Sequence, residues 1–251
     1  MIGSLLPAGV YAEESFGDGT DEAHDALFPE EAAAVANAVL KRRREFAQVR
    51  VCARSALAQL GLPPVPLVPG RRGAPRWPAG VVGSMTHCAG YRAAAVAREA
   101  DVAGIGIDAE PDGPLPEGVL EAVSLPAERR ALDALAARRP DVHWDRLLFS
   151  AKESVFKTWY PLTARELGFN EAEITFDAEA GTFDARLLVE GSVVGGSRLR
   201  HFAGRWASEA GVLATAIRLP HGPDAKEPDA EKLSAKPGGE GSAADSPSAG
   251  G

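Results

Sequence analysis

The chain reads as an α+β fold: two similar α/β subdomains related by a pseudo-two-fold, each with helices packed on a small, mainly antiparallel sheet. Three features predict it. Residues 29–61 and 143–160 carry long helical patterns. Each is followed by strand-like runs that reverse at glycine, near Ala89-Gly90 in one half and at Gly181 in the other. The order itself, helices and then a small sheet, occurs twice. The halves are expected to span residues 1–110 and 111–220, with a tail over 221–251.

The first helical run, "PEEAAAVANAVLKRRREFAQVRVCARSALAQLG", opens on Pro29, which suits a first turn. Glu30 and Glu31 complement the helix dipole, and Gly61 stops the run. Its length allows two helices in sequence. A Pro- and Gly-rich loop follows from Pro63 to Gly80. "GVVGSMTHCAGYRAAAVARE" then gives two strands around a turn, and "VAGIGIDAE" a third, ended by Pro111. In the second half, "LPEGVLEAVSLPAERRALDALAARRP" is helical with proline interruptions. "HWDRLLFSAKESVFKTWY" is a strong helix ending at Pro161. "AEITFDAEAGTFDARLLVE" reads as a hairpin, and "GRWASEAGVLATAIRLP" as two further strands. From His221 the sequence has no aromatic residue and one leucine among Gly, Pro, Ser and Ala. It cannot offset ordering costs of about 1–2 kcal/mol per residue, which predicts disorder.

Composition excludes several classes. The net charge is -8, so a general nucleic-acid binder is not expected. Two cysteines, Cys52 and Cys88, do not make a disulfide framework. The start of the chain lacks the basic and apolar regions of a signal peptide, and no run suits a membrane span. A cytoplasmic monomer is expected.

Four segments could carry chemistry. On the strand "GIGIDAEP", alternation points Ile105, Ile107 and Ala109 to one face, and Gly106, Asp108 and Glu110 to the other. Two neighbouring carboxylates beside an open glycine suit a hard divalent cation, or else form an acidic exposed face. In "FSAKESVFK", Glu153 and Lys157 share a helical face; alone they are a surface pair worth roughly 0.3–0.5 kcal/mol. With Asp108 and Glu110, Glu153 could complete a three-carboxylate site, while Lys152 and Lys157 could hold phosphates. In "KRRREFAQVRVCAR", Arg42, Arg43, Arg50 and Arg54 are solvated helix surface or a phosphate clamp. In "GSMTHCAGY", His87 sits between Thr86 and Cys88. Neighbours on a strand face opposite ways, which argues against a Cys-His dyad and leaves His87 as a phosphate ligand or a structural histidine.

"GIGIDAEP", "FSAKESVFK" and "GSMTHCAGY", taken in order with the basic helix before them, resemble the 4'-phosphopantetheinyl transferases. The likeness is to the larger, pseudo-dimeric, actinobacterial type, and it runs from about Ala32 to Pro220. The resemblance implies transfer of the phosphopantetheine arm of coenzyme A to a serine of an acyl or peptidyl carrier protein, with release of 3',5'-ADP. It implies Mg2+, with Mn2+ as the alternative, held by Asp108, Glu110 and Glu153. Glu153 would also be the base and Lys157 the leaving-group cation. Lys152, His87, Thr86, Arg50 and Arg42 would lie along coenzyme A's phosphates. Relatives often carry a lysine where this chain has Pro69; Arg71 or Arg72 would replace its charge. The Pro-rich segment "GPLPEGVLEAVSLP" is the candidate carrier-docking patch. Another Mg2+-dependent enzyme of nucleotides or diphosphates, or an inactive carrier- or coenzyme A-binding module, are the alternatives.

Overall fold

A computed structural model describes residues 1–222. From residue 223 onward the tail expected to be disordered lies outside the described residues.

The first half opens with α1 (Ile2–Leu5), β1 (Tyr11–Phe16) and α2 (Asp21–Asp25), none of which the sequence pattern announced. The long helical run divides into α3 (Pro29–Ala34) and α4 (Leu40–Gln59). The break falls where Val39 turns extended, at φ -62 and ψ 154. β2 (Val81–Cys88) and β3 (Tyr91–Arg98) form the expected hairpin, and β1 joins it to give the order β1-β3-β2. α4 lays Cys52, Ala53, Ala56 and Leu57 on Ala94 and Val96 of β3. Small residues on both elements bring helix and sheet close together.

The second half contains β4 (Gly104–Pro111), α5 (Val119–Val123), α6 (Pro126–Arg138) and α7 (Trp144–Thr163). The hairpin β5 (Ala172–Asp177) and β6 (Thr182–Leu187) follows, then a small hairpin, β7 (Val193–Val194) with β8 (Ser197–Arg198). β9 (His201–Glu209) and β10 (Val212–Leu219) complete it. The main sheet is antiparallel, in the order β4-β10-β9-β6-β5. Here the sheets divide differently from the expected 110/111 boundary. β4 pairs with β10 along its whole length, Asp108 opposite Thr215, and so belongs to the second sheet. α7 also runs past Pro161 to Thr163, capped by a left-handed Ala164 whose N–H donates to the Tyr160 carbonyl. A proline in the last turn removes one helical hydrogen bond without stopping the helix. No helix among the described residues is long and apolar enough to cross a membrane.

The alternation along β4 holds. Ile105, Ile107 and Ala109 enter a core with Ile2, Leu5, Ala214 and Ala216. The other face meets α7, and the space beside Gly106 is filled rather than open. A methyl group there would stand 2.1 Å from the Ser154 carbonyl oxygen and 2.2 Å from Thr158 Oγ1. Helix backbone therefore lies directly on strand backbone at this point. Ser150 Oγ and Thr215 Oγ1, 2.9 Å apart in the interior, tie α7 to the neighbouring strand β10.

β2 and β4 are edge strands of different sheets, and they face one another. Side chains close the gap between them. Ser84 Oγ accepts the Ile107 N–H at 3.1 Å, and Thr86 Oγ1 accepts the Ala109 N–H at 3.0 Å. Both hydroxyls are buried. They satisfy N–H groups that β10 does not reach, and an edge left bare in the interior would be costly.

Gly106→Ala is expected to destabilise the protein by about 1–3 kcal/mol through overpacking. Gly113→Ala, where no atom lies within 4 Å of the added methyl, is the control and should be near neutral. Urea denaturation of both variants checks this.

Candidate active site

The seam between β2 and β4 gathers the chemistry. Asp108, on the α7-facing side of β4, is 4% exposed. Its Oδ1 accepts from Lys157 Nζ at 2.7 Å and from Thr86 Oγ1 at 3.3 Å. Its Oδ2 is buried with no hydrogen-bond partner among the described residues. A buried carboxylate oxygen without a donor calls for a cation or another donor. Glu110, two residues on and on the same face, meets Arg146 Nη1 through Oε2 at 3.1 Å.

α7 supplies the opposite wall. Arg146, Glu153 and Lys157 lie seven and four residues apart and share one face of the helix. Burial, and then the Asp108 charge, push the carboxyl of Glu153 above its ordinary pKa. The same two causes raise Glu110, with Arg146 opposing them. Three acids with too little positive charge among them fit a divalent cation. They are not gathered as a finished ligand set, however: among the described residues no three acids, histidines or cysteines stand close enough to hold a metal. Glu153 still feels the Asp108 charge across the seam. Lys157 already covers one oxygen of Asp108, and Arg146 one of Glu110.

His87 is half-buried on β2, where Arg42 Nη1 donates to its Nε2 at 2.5 Å. That contact leaves the ring proton on Nδ1, which faces Glu45 Oε2 at 3.8 Å. Burial, and then Arg42, lower the imidazole's pKa, so the ring is neutral near neutral pH. Cys88 is buried, and its thiol is pushed up to about 12 by burial and by Glu110 and Asp108, which leaves it a poor nucleophile.

Three expected phosphate ligands have protein partners in this structure. Lys152 is 4% exposed. Its Nζ donates to Glu128 Oε2 (2.9 Å) and to the carbonyls of Phe169 (2.5 Å) and Ala172 (3.1 Å). Its ammonium is turned to α6 and β5, while Lys152 and Glu153 both line the pocket beside α7. Arg50 is buried over the Phe46 ring, with Nε donating to the Leu67 carbonyl and Nη1 to that of Phe46. It braces α4 against the following loop. Arg72 sits at the tip of a tight turn, φ 57, and makes a two-pronged pair with Glu166. The pair stands at the lip of a pocket of about 350 Å³ that is also lined by Glu153, Phe156, Leu167 and Phe169.

The model for the N-terminal domain of 4'-phosphopantetheinyl transferases matches residues 30–97, and that for the superfamily matches residues 104–192. The chain belongs to the 4'-phosphopantetheinyl transferase superfamily. Two halves of the chain match, and the gap between the matches falls just before β4, where the sheets divide. The phosphopantetheinyl transferase Svp of Streptomyces mobaraensis is 68% identical over 87% of this chain and 89% of its own. PptT of Mycobacterium tuberculosis is 48% identical over 87% of this chain and 98% of its own. Enterobactin synthase component D of Salmonella typhimurium is 34% identical over 61% and 62%. Phosphopantetheinyl transferases move the phosphopantetheine arm of coenzyme A to a carrier protein, and this chain is such an enzyme.

Sequence reasoning missed Arg146, Glu128, Glu45 and Glu166. Arg146 alone left a signal, its seven-residue spacing from Glu153; the others depend on contacts across the fold. A carboxyl whose folded pKa is raised subtracts stability once it ionises above its unfolded pKa. Glu153→Gln should therefore raise the metal-free thermal midpoint near neutral pH. Scanning calorimetry checks it.

Proposed function

We propose that Asp108, Glu110, Glu153, Lys157, His87 and Arg42 carry the transfer in this enzyme. One observation carries the reading: at the seam, Asp108 keeps a buried oxygen without a donor, Lys157 covers the other, and Glu153 stands one helical turn before Lys157 with a raised pKa. Asp108, Glu110 and Glu153 would hold the divalent ion, Mg2+ or alternatively Mn2+. Bound there, the ion would neutralise charge on the pyrophosphate of coenzyme A.

The reaction forms a bond between the carrier serine Oγ and the phosphorus bearing the pantetheine arm. It breaks the bond from that phosphorus to the oxygen that leaves with 3',5'-ADP. Glu153 takes the serine proton, and its raised pKa improves it as an acceptor. Lys157 neutralises the leaving oxygens, and Thr86 keeps Lys157 in place. Neutral His87 and charged Arg42 flank the same phosphates, since Arg42 can exchange the imidazole for a phosphate oxygen. The pocket beside Glu153 has apolar walls at Phe156, Leu167 and Phe169 and suits the pantetheine arm.

The acceptor would be an acidic carrier protein docking at residues 113–126. Arg146 holds this segment to α7 by donating to the carbonyls of Gly113 and Pro114. The segment's own charges, Glu117 and Glu121, are acidic, so its contribution to docking is apolar, through Leu115 and Leu120. Two halves related by a pseudo-two-fold would make a monomer sufficient, with the cleft between them.

Incubation with coenzyme A, Mg2+ and an apo carrier protein should add the phosphopantetheine mass to the carrier, read by intact mass spectrometry. Glu153→Gln should abolish the addition, and Lys157→Ala should lower kcat by about 10²–10³-fold. Full activity of Glu153→Gln would overturn the assignment of the base.

A further inference from the structure

Glu128, the third residue of α6, is 2% exposed, and both its oxygens are occupied. Oε2 accepts the Leu125 N–H at 2.6 Å and Lys152 Nζ at 2.9 Å, while Oε1 accepts the Ile174 N–H at 2.7 Å. Lys152 in turn donates to the carbonyls of Phe169 and Ala172. Ile174 and Ala172 lie on β5, the outer strand of the five-stranded sheet. The ion pair thus acts as a substitute strand. Its carboxylate takes an edge N–H and its ammonium serves an edge carbonyl, and both ends sit on helices. α7 is pinned to the sheet edge at Lys152, one residue before Glu153.

Pinning a helix at one side chain fixes its rotation. A carboxylate about 5–6 Å from the helix axis moves by about 2 Å when the helix turns by roughly 20°. Displacements of that order are costly at a reacting centre. We propose that Glu128 is a positioning residue for the transfer: through Lys152 it sets the rotation of α7 and with it the place of Glu153. The inference rests on the assignment of Glu153 to the reaction.

The first half contains the same construction. Glu31, 0% exposed and third in α3, accepts the Phe28 N–H at 2.9 Å and the Leu67 N–H at 2.7 Å. Its cation is Arg54 at 3.0 Å, with Arg50 bonded to the Leu67 carbonyl as Lys152 is to that of Ala172. Both helices begin with proline, at Pro29 and Pro126. The residue after Arg50 is Val51, so this hub has no catalytic carboxylate beside it. It serves as a control of similar burial, although its cation Arg54 is 12% exposed against 2% for Lys152 and Leu67 lies in a loop rather than on a strand.

The test compares the full chain with Glu128→Gln, Lys152→Met, the pair Glu128→Leu with Lys152→Met, and Glu31→Gln. Thermal midpoints, kcat and KM for coenzyme A are measured with Mg2+ and an apo carrier protein, well below each midpoint. Glu128→Gln and Lys152→Met should lower kcat by about 10–100-fold while KM for coenzyme A stays within about threefold. The double variant leaves the Leu125 and Ile174 N–H groups without acceptors and so stays below the wild type in stability. It should be more stable than Lys152→Met, which strands the Glu128 charge, without regaining kcat. Glu31→Gln should lose stability and keep kcat. Wild-type kcat in Glu128→Gln or in the double variant, or an equal kcat loss in Glu31→Gln, would overturn the proposal. Loss of transfer in Glu153→Gln alongside normal Glu128→Gln defeats this inference only. Absence of transfer by the wild type, or full transfer by Glu153→Gln, defeats the underlying assignment and this inference with it.

Discussion

Buried strand edges must have their backbone groups satisfied, and in this chain β2 and β4 meet without sharing a ladder. Ser84 and Thr86 close the seam with side-chain oxygens that accept the Ile107 and Ala109 N–H groups. The constraint reaches the chemistry through Thr86. Its one hydroxyl oxygen takes the Ala109 N–H, lies 3.4 Å from Lys157 Nζ, and has Asp108 Oδ1 as its own acceptor at 3.3 Å. The groups that join the sheets therefore also hold the acid and the lysine of the site in register.

α7 crosses the sheet between its two outer strands, and each edge is sealed by side chains rather than by another strand. Near β4 its backbone lies on Gly106, and near β5 Lys152 and Glu128 replace a missing neighbour. Between these anchors the helix divides its labour by period. Leu148, Ala151, Val155 and Trp159 fill the core, while Arg146, Glu153 and Lys157 face the cleft. The cost of crowding carboxylates is carried as raised pKa values at Glu110 and Glu153, an arrangement that favours both cation binding and proton transfer.

Much of this was legible in the sequence. The alternation in "GIGIDAEP" correctly separated Asp108 from Ile107, and the helical period joined Glu153 to Lys157. Both hairpins and their turns followed from glycine placement. What stayed hidden depends on distant partners. A lysine or arginine within a helix reads as solvent-facing, because its burial is tolerable only with a carboxylate supplied elsewhere. Glu128 lies 24 residues before Lys152, and Glu31 lies 19 before Arg50. The pairing of β4 with β10 spans over a hundred residues and leaves no local trace. Gly106 read as open space because only the packed helix reveals that its missing side chain is a contact surface.

The claim that hydroxyl groups at the seam organise the site is tested most directly by Thr86→Val, which removes one oxygen and preserves shape. Amide hydrogen exchange of Ala109 is the measurement, followed by NMR in the wild type and the variant. The account predicts that protection of the Ala109 N–H falls while Gly106 and Asp108, bonded to β10 on the other edge, keep theirs. Unchanged protection at Ala109 in a folded Thr86→Val protein would contradict it.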